Sequence, residues 1–305
     1  MTFAPALASF LPFRDMDACI AARRIRRQDI TTHANPDFRI RVEDDEQAFY
    51  SAFARDFVDR IRATRDEGAD FVAIVPVGPV PQYAEAARLI NAERLSLSHV
   101  RTFNMDEYAD EEGRTAPVEW EGSFATAMWK SFFGLLDPDL LPKKENIHFP
   151  TTENISSYST MIEDAGGADV CYGGIGWSGH MAFWEPQLGA EFAGDLDAYR
   201  AAPARIVELH PMTIMQNALH SFGADWSWVP PCAATVGPKD ILGAKHRSFW
   251  LDGHLGGGAT WQRFIARLVA HGPVNEFVPG SMLQETVCDY TMLGTVADDV
   301  EIDMA

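Results

Sequence analysis

Cysteine is scarce and scattered in this chain. The four present, Cys19, Cys171, Cys232 and Cys288, lie far apart and form no CxxC pair. That argues against a disulfide framework and against a zinc site built on thiolates. Cys171 sits in the apolar run Asp169-Val-Cys-Tyr, where a buried thiol is the expected state. Positive charge is also short: 25 Lys and Arg face 44 Asp and Glu, a formal net charge of −19. So acidic a surface repels nucleic acid and anionic lipid at long range, and neither is expected as a partner. An anionic small substrate would need a pocket that supplies its own positive charges or oriented N–H groups. No run of about 18 uncharged apolar residues occurs, so no membrane span is expected. The N-terminal stretch is apolar but lacks a basic segment and is broken by Pro5 and Pro12, unlike a signal peptide. A cytoplasmic location is therefore expected. His210, His220, His246 and His254 do not fall at a tight metal-ligand spacing, so no metal is expected. Repeats, low-complexity segments and Pro-, Gly- or Ser-rich linkers are missing too.

What is present is alternation. Over residues 43–67, Phe49, Phe53, Phe57, Val58 and Ile61 recur at a spacing that predicts an amphipathic helix. The apolar run at 71–75 reads as a buried parallel strand, ending in a loop at 76–81. Helical spacing returns at 82–94, and a second strand runs from Val100 to end at Asp106-Glu107-Tyr108. Helices are predicted at 121–135 and 153–165. A strand then leads from Asp169 into the glycine-rich turn Gly173-Gly-Ile-Gly176. A late strand over 247–252 is followed by Gly253-His-Leu-Gly-Gly-Gly258 and a helix over 259–270. Repeated strand–loop–helix units predict a single α/β domain, a Rossmann-like parallel sheet flanked by helices, with ligands at the carboxyl ends of the strands.

Three strand ends hold the candidate chemistry. At Asn104-Met-Asp-Glu-Tyr108, adjacent carboxylates on a strand point in different directions and do not form a dyad. One of them can face the crevice as a general base, and a helix cap or solvated turn fits the pair as well. From Gly173 to Glu185, glycines at 173, 174, 176 and 179 allow a tight turn that exposes N–H groups. His180 follows, with Glu185 five residues on. A carboxylate beside an imidazole stabilises its protonated form and orients the ring, which suits acid/base work near neutrality. At 253–258, a glycine-rich start to a helix offers backbone N–H groups to an anion, a weak signal because such loops are common.

At these residues the chain resembles the glucosamine-6-phosphate deaminases and their isomerase and lactonase relatives. The likeness rests on Thr102-Phe-Asn-Met-Asp-Glu-Tyr108, Ala165-Gly-Gly-Ala-Asp-Val-Cys-Tyr-Gly-Gly-Ile-Gly176 and Gly179-His-Met-Ala-Phe-Trp-Glu-Pro186, with weaker echoes at Thr235-Val-Gly237 and Gly280-Ser-Met-Leu-Gln284. It implies an N-terminal extension over 1–40, a family domain over 41–305, no redox cofactor and a small sugar as partner. It leaves open whether the chain forms a homo-oligomer. By motif, Asp106 matches the base that moves a proton between C2 and C1. His180 matches the imidazole that opens the sugar ring, and Glu185 the carboxylate that tunes it. Gly78, Glu107, Gly176, Ser178, Lys239 and His254 are the expected substrate contacts.

The departures bear on the substrate. Ser178 stands where the family's turn has Asp, which removes a carboxylate from beside His180. The family's Gly-Ser-Thr-Pro phosphate cradle is replaced by Pro76-Val-Gly-Pro-Val-Pro81, which has no hydroxyl and two prolines, at 79 and 81, that cannot donate. A family Arg and Lys align roughly with Leu219 and Gly256. Each lost contact to a charged phosphate is worth roughly 1.5–3 kcal/mol. Lys239 and the glycines at 256–258 are candidate replacements. The resemblance therefore implies ring opening and enolisation of an aminosugar or related aldose that differs from glucosamine 6-phosphate at the phosphate. A sugar-lactone hydrolase and a non-catalytic sugar sensor are the alternatives.

Overall fold

A computed structural model describes residues 5–256, 259–302 and 304. The chain forms α1 (Met16–Arg24), β1 (Phe38–Glu43), α2 (Glu46–Glu67), β2 (Phe71–Val75), α3 (Val80–Glu93), β3 (Val100–Asn104) and β4 (Asp106–Ala109). There follow α4 (Phe124–Ser131), β5 (Ile147–His148), α5 (Tyr158–Asp164), β6 (Val170–Gly173), α6 (Leu196–Arg200), β7 (Arg205–Glu208), α7 (Pro211–Ser221) and β8 (Cys232–Thr235). The last part holds α8 (Pro238–Gly243), β9 (His246–Leu251), β10 (His254–Gly256), β11 (Ala259–Thr260), α9 (Gln262–His271), β12 (Cys288–Leu293) and α10 (Gly294–Ala297).

The apolar run at 71–75 becomes a strand because both of its faces are covered. Its residues divide by parity: Val72 and Ile74 join the core on one side of the sheet, and Phe71, Ala73 and Val75 join the core on the other. β6 divides in the same way, with Cys171 on one side and Val170 and Tyr172 on the other. The periodic face of α2 places Phe53, Phe57 and Ile61 in the second of these cores, beside Tyr83 and Ile90 of α3. Burying each such side chain contributes about 1.5–3 kcal/mol. α2 starts where the Asp45 side chain accepts from the Ala48 N–H (2.7 Å) and stops at Gly68, whose φ of 69° ends a helix at low cost.

Seven strands form the main sheet in the order β1-β12-β9-β6-β2-β3-β5, every pair parallel. From β2 the chain proceeds through β3 to β5 on one side, and through β6, β9 and β12 on the other. The order therefore reverses between β2 and β6, the point at which open α/β sheets bind ligands outside the strands' carboxyl ends. The first forty residues supply α1, which packs on α9, and the opening of β1.

Several elements differ from the sequence expectation. Residues 106–109 do not merely end β3; they form β4 of a second, antiparallel sheet ordered β4-β8-β7. A long-range partner at 232–235 supplied the ladder that local spacing could not show. α3 begins at Val80, because Pro81 is tolerated in a first turn whose N–H groups lack partners anyway. The helix expected at 121–135 starts only after the Ser123 cap and breaks into a 3-10 turn at Phe133–Leu135. The one expected at 153–165 is a 3-10 turn, Ile155–Ser157, followed by α5. The glycine-rich stretch after β9 is not the start of a helix: β10 and β11 pair antiparallel, and α9 begins at Gln262. Gly257 and Gly258 lie outside the described residues. No helix among the described residues is long and apolar enough to cross a membrane.

Candidate active site

The turn that follows β6 is shaped by two glycines. Gly179 has φ of 90°, a conformation that L side chains rarely adopt. A Cβ on Gly176 would lie 2.0 Å from Nε2 of His180, so only glycine lets the ring sit against this backbone. The turn is closed by the Gly179 N–H donating to the Gly176 carbonyl and the Gly176 N–H donating to the His180 carbonyl.

His180 and Glu185 are buried together. Nδ1 of His180 lies 3.1 Å from Glu185 Oε2, 3.0 Å from Ser178 Oγ and 3.1 Å from Thr213 Oγ1. An ionised carboxylate only accepts, so Nδ1 carries the proton toward Glu185 and Nε2 is left as the free nitrogen beside Gly176. Ser178 Oγ also donates to Glu185 Oε2 at 3.0 Å. The hydroxyl that replaces the family's Asp is thus built into the pair. Glu185 is fully buried, and its second oxygen accepts the backbone N–H of His210 at 3.2 Å.

Asp106 approaches from the other sheet. Its Oδ1 accepts the Thr235 hydroxyl of β8 at 2.5 Å and the Phe183 N–H at 3.1 Å. Phe183 joins the two halves of the site, because its ring also meets His180 edge-on with centroids 5.8 Å apart. Asp106 keeps part of its surface open, yet protein surrounds it on most sides. Burial pushes its carboxyl up to about 7, against the lowering effects of the Thr235 hydroxyl, the nearby His180 and the Phe183 N–H. A carboxyl near 7 can take up and return a proton at neutral pH, and the imidazole that meets the same Phe183 is oriented by the Glu185 carboxylate.

The other expected contacts are distributed differently. Gly176 and Ser178 are part of the site. Gly78 is exposed in the loop between β2 and α3, with open space where a Cβ would stand. Glu107 is not at the crevice: its carboxylate accepts from Ser123 Oγ, from the Phe124 and Ala125 N–H groups and from its own neighbour Tyr108. It serves the N-terminus of α4, because alternation along β4 turns it away from Asp106. Lys239 pairs with Glu163 at 2.7 Å, both partly exposed, where α8 meets α5. Among the described residues, it makes no bond to Asp106, His180 or Glu185. The side chain of His254 lies outside the described residues, and Gly256 lies in the β10 strand. Leu219, at the position of a family Arg, is 45% exposed on α7. Among the described residues no group of three or more His, Cys, Asp and Glu is placed to hold a metal ion.

Sequence spacing did not single out Thr213, Phe183 or His210. Thr235 stood only in a weak family echo, 129 residues from Asp106.

No protein-family model matches the chain. Among curated proteins it is 34% identical over 255 residues to a glucosamine-6-phosphate deaminase of Mannheimia succiniciproducens, covering 80% of this chain and 85% of that protein. It is 32% identical over 251 residues to the glucosamine-6-phosphate deaminase of Phocaeicola vulgatus, covering 76% and 88%. Among solved structures, a monomeric glucosamine-6-phosphate deaminase described as a missing link of the NagB superfamily superposes with a TM-score of 0.71 at 22% identity, over 85% of this chain and 98% of that one. A 6-phosphogluconolactonase from Leishmania guyanensis superposes with 0.62 at 14% identity, over 86% and 98%, a likeness of fold. At 32% and 34% identity over 76% and 80% of this chain, the two curated relatives show that the chain belongs to the glucosamine-6-phosphate deaminase family.

Proposed function

We propose that this protein is an enzyme that opens the ring of an aminosugar or related aldose and moves a proton between C2 and C1. Its substrate differs from glucosamine 6-phosphate at the phosphate. The observation that carries the reading is the pairing of a carboxyl raised to about 7, Asp106, with an imidazole whose Nδ1 is held by Glu185. His180 Nε2 exchanges a proton with the sugar's ring oxygen and anomeric hydroxyl as the ring opens. The Asp106 carboxylate then takes the proton from C2 and returns it at C1. For an aminosugar, the nitrogen also gives up one proton and the C1 oxygen gains one, so the C2–N single bond becomes an imine and the C1 aldehyde becomes a hydroxymethyl group. Water adds to that imine, and ammonia leaves. Ser178 and Thr213 steady the His180–Glu185 pair through the transfer.

The altered substrate is supported by the proline-broken loop at 76–79, by Leu219 and by the engagement of Lys239 with Glu163. Ammonia release from a panel of phosphorylated and unphosphorylated aminosugars tests the reading. Asp106→Asn should lower turnover by about 10²–10⁴ while sugar binding persists. Unaltered turnover in that variant, or acid release from a sugar lactone with no ammonia from any aminosugar, would overturn it.

A further inference from the structure

The N-terminal residues reach the active site through one imidazole. Arg14 folds the segment before α1 into a turn. Its guanidinium donates to the carbonyls of Leu7 (3.2 Å), Ala8 (2.6 Å) and Leu11 (3.4 Å), and the Leu11 N–H donates to the Ala8 carbonyl at 3.2 Å. From this turn the Phe10 carbonyl accepts from Nε2 of His210 at 3.2 Å, across 200 residues of chain. The Phe10 ring is 58% exposed and its centroid lies 6.3 Å from that of His210, so the polar bond and not apolar burial marks the contact.

His210 is buried, and its polar groups are all engaged. Nδ1 accepts the Met212 N–H (3.2 Å) and caps α7, which leaves the ring proton on Nε2 for Phe10. The backbone N–H donates to Glu185 Oε1 at 3.2 Å, and the carbonyl accepts the N–H groups of Thr213 (2.8 Å) and Ile214 (3.1 Å). Glu185 Oε2 and Thr213 Oγ1 each lie 3.1 Å from Nδ1 of His180. Two paths therefore run from His210 to the same catalytic nitrogen. Capping α7 needs only the acceptor Nδ1, which a shorter Asn or Ser also supplies. The second bond, from Nε2 to Phe10, holds the ring at both ends and so fixes the backbone whose N–H meets Glu185.

We infer that the turn at 7–14, acting through the positioning residue His210, is a strap that holds the His180–Glu185 pair in register. The kinetic part of its test rests on the ring-opening role proposed for His180, whereas the spectroscopic part needs no substrate. Full-length wild type, His210→Asn and Arg14→Ala are compared. The Asn keeps an acceptor for the Met212 N–H but is too short to reach the Phe10 carbonyl as well, and Arg14→Ala loosens the exposed turn without touching α7. The Nδ1–H resonance of His180, assigned by its absence in His180→Gln, is followed by NMR, and kcat and KM are measured on the aminosugar panel. Both variants are expected to keep the wild-type urea midpoint, to broaden or lose that resonance, and to lower kcat by about tenfold at unchanged KM, as slight misplacement of a catalytic group does. Should His210→Asn not fold, Arg14→Ala alone decides. A resonance or a kcat that stays at its wild-type value in Arg14→Ala overturns the strap, and so does a loss of activity carried by KM. If wild type releases ammonia from no sugar, the ring-opening reading fails and the resonance alone decides the strap.

Discussion

Asp106 is a carboxyl group set up to titrate where cells live. An unfolded chain ionises such a group near its ordinary 3.8, whereas burial pushes it up to about 7 in the folded protein. Between those values the unfolded state has lost the proton that the folded state keeps, so this residue's contribution makes stability fall as pH rises through the window. Above about 7 both states are ionised and the cost is complete. Asp106→Asn removes the ionisation and keeps an acceptor for Thr235 and Phe183. In urea unfolding it is expected to match wild type at pH 3.5 or below and to exceed it at pH 8.5, by on the order of 1 kcal/mol or more. Lower stability of the variant at pH 8.5 would mean that Asp106 is better solvated than its surroundings indicate. For the same reason, wild-type kcat/KM should rise with pH up to about 7 as the carboxylate form accumulates.

At the scale of the element, β4 shows how one strand does two jobs. Side chains alternate along a strand, so Asp106 faces the crevice and Glu107 faces α4. Glu107 adds to the Ser123 cap: it receives the Phe124 and Ala125 N–H groups at 3.0 Å each, and the Ser123 hydroxyl at 2.9 Å. Negative charge at a helix N-terminus also complements the helix dipole. Glu107→Gln places an NH₂ group against those donors and should cost about 1–3 kcal/mol in denaturant unfolding. Sugar affinity should be unchanged in calorimetry; a marked loss of affinity at unchanged stability would return Glu107 to the substrate.

For the molecule as a whole, a buried cation joins segments from both ends of the chain. Arg267 of α9 is fully buried, and its guanidinium donates to the carbonyls of Ile25 (2.9 Å), Arg263 (2.8 Å), Val296 (3.3 Å) and Ala297 (2.7 Å). Burial lowers its pKa, and the ring of carbonyls compensates the buried charge. Arg267→Leu would strand those acceptors at the seam between the residue that ends α1 and α10. The urea midpoint should drop by an amount corresponding to about 2 kcal/mol or more. A variant as stable as wild type would show that the seam is held by apolar packing alone.

Local chemistry determined much of this protein. The all-apolar run at 71–75, the helical spacing of Phe49, Phe53 and Phe57, and the turn that positions His180 near Glu185 are short-range patterns, and each is visible within about two dozen residues. Tertiary structure decided the rest, because the contacts involved lie far apart in the chain. The Thr235 hydroxyl that meets Asp106 comes from a second sheet 129 residues away, and the Phe10 carbonyl that meets His210 is 200 residues away. The hydrophobic period shows which face of an element is buried, and only the packed sheets decide which side chains from distant strands meet across the crevice.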